Sequence, residues 1–316
     1  MKPLGPPRRN LESVPSLKSI HPTAAQWIGA LIRIASPHPA MTKILDVIER
    51  LSERPYRTNF VLVGEPGTGK EGLGRALAHL TCPDGPLVRY DVAGFPEEEA
   101  LDLLCGTARR AGIAEAADDG VIFIEELAGL GPQVQAALLR LVKSGRCERR
   151  GGGRGGSEFE TDAEDAADSP RAKRFNVHVV AASDRDLMAE VREGRLRHDL
   201  YHRLARVVLW LPPLRERVED IAASTIWMGN RILRAAGFPL EVLGADEYGR
   251  ATEAERAHKL TFDHEALRAL EKHPWPGNFR ELESTLERAL LLYRKGTTIG
   301  AREIAAALNA PGPTPS

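Results

Sequence analysis

The sequence predicts an α/β fold, a doubly wound and mainly parallel sheet followed by a helical subdomain. Three observations predict it. Apolar, often β-branched runs alternate with helical patterns as far as residue 211, the order that gives parallel strands covered by helices on both faces. One run, FVLV at 60–63, enters a glycine-rich turn and then a helical pattern. Beyond Pro213 the strand signals stop, and residues Val218 to Leu308 read as helices broken by the turn PWPGN at 274–278.

The elements follow in order. Residues 1–22, rich in Pro, Arg and Ser, read as a flexible tail. Between 24 and 52 the apolar spacing is helical, with Ile28, Leu31, Ile32, Ile44, Val47, Ile48 and Leu51. Strands are expected at 60–63, 87–92, 121–124, 177–183 and 207–211. The helix EGLGRALAHL follows the first strand. Pro132 opens another at its first turn, which Val134, Leu138, Leu141 and Val142 continue. Residues 151–169 begin GGGRGG and continue with six acids and one large apolar residue, Phe159. Such a segment buries too little surface to offset its ordering entropy and reads as a disordered insertion. The expected organisation is therefore an α/β nucleotide-binding subdomain at 23–217 interrupted at 151–169, a helical lid at 218–310 and a tail at 311–316.

Composition narrows the function. The chain has 316 residues, 42% hydrophobic and 28% charged, with a net charge of −1, as in ordinary soluble proteins and without a global pull toward nucleic acid or membranes. No apolar run approaches the ~20 residues that span a bilayer. The basic start MKPLGPPRRN has no apolar segment behind it and is not a secretory signal. Cys82, Cys105 and Cys147 have neither metal-ligand nor redox spacing. They read as incidental or buried thiols of a cytoplasmic protein.

Gly64-Glu65-Pro66-Gly67-Thr68-Gly69-Lys70-Glu71, between a strand and a helix, has the pattern of a phosphate-binding loop. Its glycines let backbone N–H groups curl around a polyphosphate, and Lys70 supplies a mobile positive charge. GVIFIEEL at 120–127 supplies the partner: an apolar strand ending in two acids. A triphosphate bound with Mg²⁺ needs its charge neutralised and its attacking water oriented. Glu126 is the expected catalytic base or water-positioning group, and Glu125 the metal-side carboxylate. ATP and Mg²⁺ are the cofactors these motifs imply.

Further motifs make the pattern specific: the Lys70-Glu71 ending, AASDRDL at 181–187, LRHDLYHRL at 196–204, LPPLRER at 211–217 and PWPGNFREL at 274–282. From about Ile34 to Leu308 the chain resembles the AAA+ ATPase domain of bacterial sigma-54 activators, the enhancer-binding proteins. The resemblance implies an AAA+ P-loop NTPase with a lid. It places Ser183 at the sensor beside the γ-phosphate, Arg197 and Arg203 as fingers reaching a neighbouring subunit's ATP, and Arg280 at the lid sensor. Fingers supplied in trans imply self-association into a hexamer-like ring.

The departures from that pattern bear on output. The GAFTGA loop that touches sigma-54 is absent: TARRAGIAEAADDG leads from Leu104-Cys105-Gly106 to Val121. The stretch after the lid, ALNAPGPTPS, reads as a tail rather than a helix-turn-helix domain, and the residues before 22 read as too few for a receiver or sensory domain. No direct sequence-specific DNA binding is expected. Glu125 stands where the family has Asp. Asp91 stands where it has an Asn that holds the catalytic glutamate in reserve, so Asp91 is expected either to repel Glu126 or raise a pKa, or to be a harmless polar residue at the strand end. The reading is an ATP-hydrolysing AAA+ regulator of transcription acting through a protein client or DNA-binding partner, without direct sigma-54 contact. The alternative is a nucleotide-gated interaction module with little or no turnover, and a stand-alone sigma-54 activator is the third reading.

Overall fold

The structure is a computed structural model and describes residues 36–54, 56–149, 173–256 and 258–310. The expected tails at 1–22 and 311–316 and the expected insertion at 151–169 lie outside the described residues.

Helix α1 (Pro39–Glu53) starts with Pro39 in its first turn and His38 Nδ1 accepting from Ala40 N, which satisfies one of the free donors of a helix start. It buries Met41, Ile44, Ile48 and Leu51. Strand β1 (Phe60–Val63) follows, then α2 (Lys70–Thr81), β2 (Leu87–Tyr90), α3 (Glu97–Cys105), β3 (Val121–Ile124), α4 (Pro132–Ser144), β4 (His178–Ser183), α5 (Leu187–Arg192), α6 (His198–Leu204) and β5 (Val207–Trp210). The five strands form one sheet in the order β2-β3-β4-β1-β5, and every pairing is parallel. All five expected strands are present.

The sheet is covered on both faces, which explains its near-continuous apolar strands. One face packs Phe60, Leu62, Phe123 and Val180 against α1 and α2. The other packs Val61, Ile122, Ile124 and Val179 against α3, α4 and α6. Register then fixes the site. Val63 pairs with Ser183 and Ile124 with Ala181, so the phosphate loop, Ser183 and the two acids after β3 leave the sheet side by side at its carboxyl edge.

The region after Pro213 differs from the all-helical expectation. Helices α7 (Asp220–Ala235), α8 (His264–Lys272), α9 (Asn278–Arg288) and α10 (Ala301–Asn309) enclose a small parallel sheet. Its strands are β6 (Glu241–Leu243), β7 (Lys259–Phe262) and β8 (Thr298–Ile299), in the order β8-β7-β6. These segments, EVL, KLTF and TI, mix polar and apolar residues and lack the continuous apolar run that marks most of the main-sheet strands. Trp275, fully buried, centres this core with Leu260, Phe262, Leu282 and Leu286.

The reading of the cysteines also changes. Cys105 and Cys147 are joined as a disulfide with their Cα atoms 5.4 Å apart, while Cys82 is a buried free thiol. The bridge ties the end of α3 to the segment after α4. Beyond it, Gly106 and Ala111 form a short antiparallel bridge closed by Thr107 and Arg110.

Candidate nucleotide site

Because strand, turn and helix meet at Gly64–Lys70, the phosphate loop curls over the N-terminus of α2. Gly67 and Gly69 have φ of +78° and +99°, the left-handed region that favours glycine. A Cβ on Gly67 would lie 2.3 Å from the Gly277 carbonyl oxygen, so the lid backbone sits directly on the loop. Lys70 Nζ donates to the carbonyls of Gly64 at 2.6 Å and Glu65 at 3.0 Å. Burial lowers the Lys70 pKa, and nearby Arg280 adds to this while Asp184, Glu126 and Glu65 oppose it.

A cavity of about 520 Å³ opens here, lined by Pro66 through Glu71 and by Glu125, Glu126, Asp184 and Arg280. Glu126 Oε1 accepts from Ser183 Oγ at 2.6 Å and from Ala128 N at 3.2 Å, while Oε2 accepts from Asp184 N at 3.0 Å. Burial raises the Glu126 pKa; the Ser183 and Asp184 N–H bonds work against that rise, and the Asp184 carboxylate adds to it. The carboxylate beside Glu126 is thus Asp184. Asp91 instead pairs with Arg89 Nη2 at 3.2 Å and accepts from Ala93 N at 3.3 Å. The expected Asp91–Glu126 repulsion is therefore not the arrangement found.

Glu125 lies against the same Arg89, whose Nε contacts Oε1. That oxygen is buried, with Arg89 as its charged partner. A hard carboxylate oxygen beside the phosphate loop fits Mg²⁺, which uses one or two carboxylates together with substrate phosphates and water.

Arg280 lines the cavity, with its Cβ against Gly67. Arg197 and Arg203 do not line it. Arg197 caps α6 and forms a two-bond pair with Asp199 at 2.9 and 3.1 Å, and Arg203 Nη2 donates to the Lys143 carbonyl at 3.3 Å. Glu65, expected to touch the nucleotide, points to the lid side. Its carboxylate pairs with both Arg215 Nη groups and accepts from Asn278 Nδ2 at 3.2 Å.

Sequence reasoning missed several residues. Arg217 is almost fully buried, donates to Thr68 O at 3.0 Å and Met41 Sδ at 3.1 Å, and lies 4.6 Å from the Phe279 ring centre. Burial lowers its pKa to about 10 despite Asp220 at 3.9 Å. The far wall is formed by Met41, Trp227, Met228 and Phe279, an apolar surface suited to a flat ring. LPPLRER and GNFREL already marked Arg217, Asn278 and Phe279 by position; nothing local marked Trp227 or Met228.

The doubly wound parallel sheet, its phosphate loop and the lid seated on that loop define an AAA+ P-loop nucleotide-binding protein. Residues 34–161 and 165–210 match the model of the Sigma-54 interaction domain, more than half of the chain, and residues 243–315 match the AAA+ ATPase lid domain. The Nif-specific regulatory protein of Azotobacter vinelandii is 34% identical over 270 residues, 82% of this chain and 44% of that protein. The anaerobic nitric oxide reductase transcription regulator NorR of Serratia proteamaculans is 35% identical over 246 residues, 75% of this chain and 41% of that one. NtrX from Brucella abortus, solved with ADP, superposes with a TM-score of 0.67 at 25% identity, covering 87% of this chain and 55% of NtrX. The ATP complex of NtrX gives the same TM-score. This chain belongs to the sigma-54 interaction domain family of AAA+ proteins. It spans less than half the length of these two curated relatives. Among the described residues no helix is long and apolar enough to cross a membrane.

Proposed function

We propose that this chain binds ATP with Mg²⁺ and hydrolyses it in a self-assembled ring, its regulatory output passing through a protein client or DNA-binding partner rather than through direct sigma-54 contact. The observation that carries the reading is the convergence of Lys70, Glu126 and Arg280 around one cavity at one edge of the sheet, with the buried Ser183 hydroxyl hydrogen-bonded to Glu126. The loop amides from Gly67 to Glu71 face the phosphates, and Lys70 leaves the Gly64 and Glu65 carbonyls to meet them. Mg²⁺, held at Glu125, would supply charge neutralisation for the phosphates. Glu126 orients and deprotonates the attacking water, a role suited to a carboxylate whose pKa burial has raised. Ser183, now donating to Glu126, turns its hydroxyl toward the γ-phosphate, and Arg280 reads the nucleotide from the lid. The absence of GAFTGA and the tight Gly106–Ala111 turn support an output by another route.

Glu126→Gln keeps the shape of the site but removes its base. Phosphate release in this variant should fall about 10²-fold or more, while wild-type specific activity should rise with protein concentration. Equal rates for the two proteins would sink the hydrolytic reading. A second reading, an interaction module gated by nucleotide, is favoured by the three hydrogen bonds that tie Glu126 down. Tight ATP binding with no phosphate release at any protein concentration would favour it.

A further inference from the structure

Two departures from the family pattern, Glu125 and Asp91, share one partner. Register pairs Arg89 with Phe123 across β2 and β3, and side chains alternate faces along a strand. Arg89 and Asp91 therefore lie on the same face as Phe123 and Glu125, both of which line the cavity. The Arg89 guanidinium bridges them, with Nε on Glu125 Oε1 and Nη2 on Asp91 Oδ2 at 3.2 Å. The charge of Glu71, at the start of α2, also acts on Arg89.

We propose that Arg89 is a gate on the metal-side carboxylate, occupying Glu125 until a divalent cation displaces it onto Asp91. The proposal rests on the nucleotide-site reading above. A guanidinium and a divalent cation drawn to the same carboxylate repel one another, so the two cations compete for Glu125. Asp91 is already in contact with the same guanidinium, so the displaced arginine keeps a charged partner. Arg89 and Asp91 are each about half exposed, with relative side-chain exposures of 54% and 42%. The exchange therefore takes place in a partly solvated setting, where it tunes metal affinity by a modest factor rather than blocking it. Arg89 is thus a positioning residue, acting through Glu125.

The test is a Mn²⁺ titration of the protein saturated with ADP, followed by the electron paramagnetic resonance signal of hydrated Mn²⁺. ADP affinity is measured first without metal. In Arg89→Ala the apparent Mn²⁺ affinity should rise about fivefold, with metal-free ADP affinity unchanged. Arg75→Ala is the control for a general field effect. It removes a positive charge that also borders the cavity but pairs with Glu71, not Glu125. Unchanged Mn²⁺ affinity in Arg89→Ala, or an equal gain in Arg75→Ala, would overturn the gate while leaving the nucleotide site in place. Failure of the wild type to bind ADP would instead remove the nucleotide reading, and the gate with it.

Discussion

Asn278 is fully buried and holds a left-handed backbone, with φ of +52°, which asparagine tolerates better than most residues. Its side chain reaches three parts of the chain. Oδ1 accepts from Leu214 N at 2.7 Å, and Nδ2 donates to Glu65 Oε2 at 3.2 Å and to the Pro66 carbonyl at 3.0 Å. This one amide fastens the lid to the phosphate loop and to the linker between the subdomains. Asn278→Ala removes all three bonds and leaves a buried N–H unpaired in a strained conformation. Its unfolding free energy should fall by about 3 kcal/mol, read from urea denaturation, with weaker ADP binding in titration calorimetry. The Glu65 end of the latch has a definite pH window. Hydrogen bonding to Arg215 is the main force holding the Glu65 pKa down to about 2 from its ordinary 4.5. A depressed carboxylate contributes its stability above the unfolded value and loses it as the pH falls through the folded one. The stability difference between wild type and Glu65→Gln should therefore be constant above pH 4.5 and shrink as the pH approaches 2. A difference that instead grew on acidification would contradict this assignment.

Helix α2 shows how an element transmits packing to chemistry. A Cβ on Gly74 would lie 2.3 Å from Phe123 Cε2 and 2.8 Å from Cδ2, and that ring is held in the core beneath α2. In an open helix Gly→Ala would add about 1 kcal/mol of stability. Here the added methyl overpacks the interface, and Gly74→Ala should instead destabilise by about 1–3 kcal/mol. Lys70 opens the same helix, so the shift of α2 away from β3 should also weaken ATP binding. Thermal unfolding and ATP titration check the two effects separately. Elements of this kind were legible in the sequence, because continuously apolar strands and a glycine-rich turn leave strong local patterns. The lid strands β6, β7 and β8 were not, since their short segments EVL, KLTF and TI mix polar and apolar residues and their pairing is set by the surrounding lid core. The partners of Asp91 and Glu125 were equally hidden. Arg89 is an ordinary strand arginine until the β2–β3 register brings it beside the second acid.

At the scale of the whole molecule, the two candidate finger arginines lie on α6, away from the cavity of their own chain. Arg203 donates to the Lys143 carbonyl and Arg197 pairs with Asp199, so in this conformation neither serves its own nucleotide. Family motifs in the sequence marked both positions; what they serve depends on a second copy of the chain. If α6 of one protomer faces the cavity of the next, Glu126 and Arg203 of a working site come from different chains, joined by a heterologous contact that closes into a ring. The Glu126→Gln and Arg203→Ala variants should then each be nearly inactive alone yet active when mixed. In an equal mixture a site works only when an Arg203→Ala protomer supplies Glu126 and a Glu126→Gln neighbour supplies Arg203. Random assembly meets both conditions in about a quarter of sites. Phosphate release by the mixture should therefore rise to about a quarter of the wild-type rate, once the premixed variants are concentrated enough to assemble. A rate that stays at the average of the two separate variants would place Arg203 outside the neighbour's site. Arginine fingers commonly contribute 10³-fold or more to phosphoryl transfer, so the two outcomes are well separated.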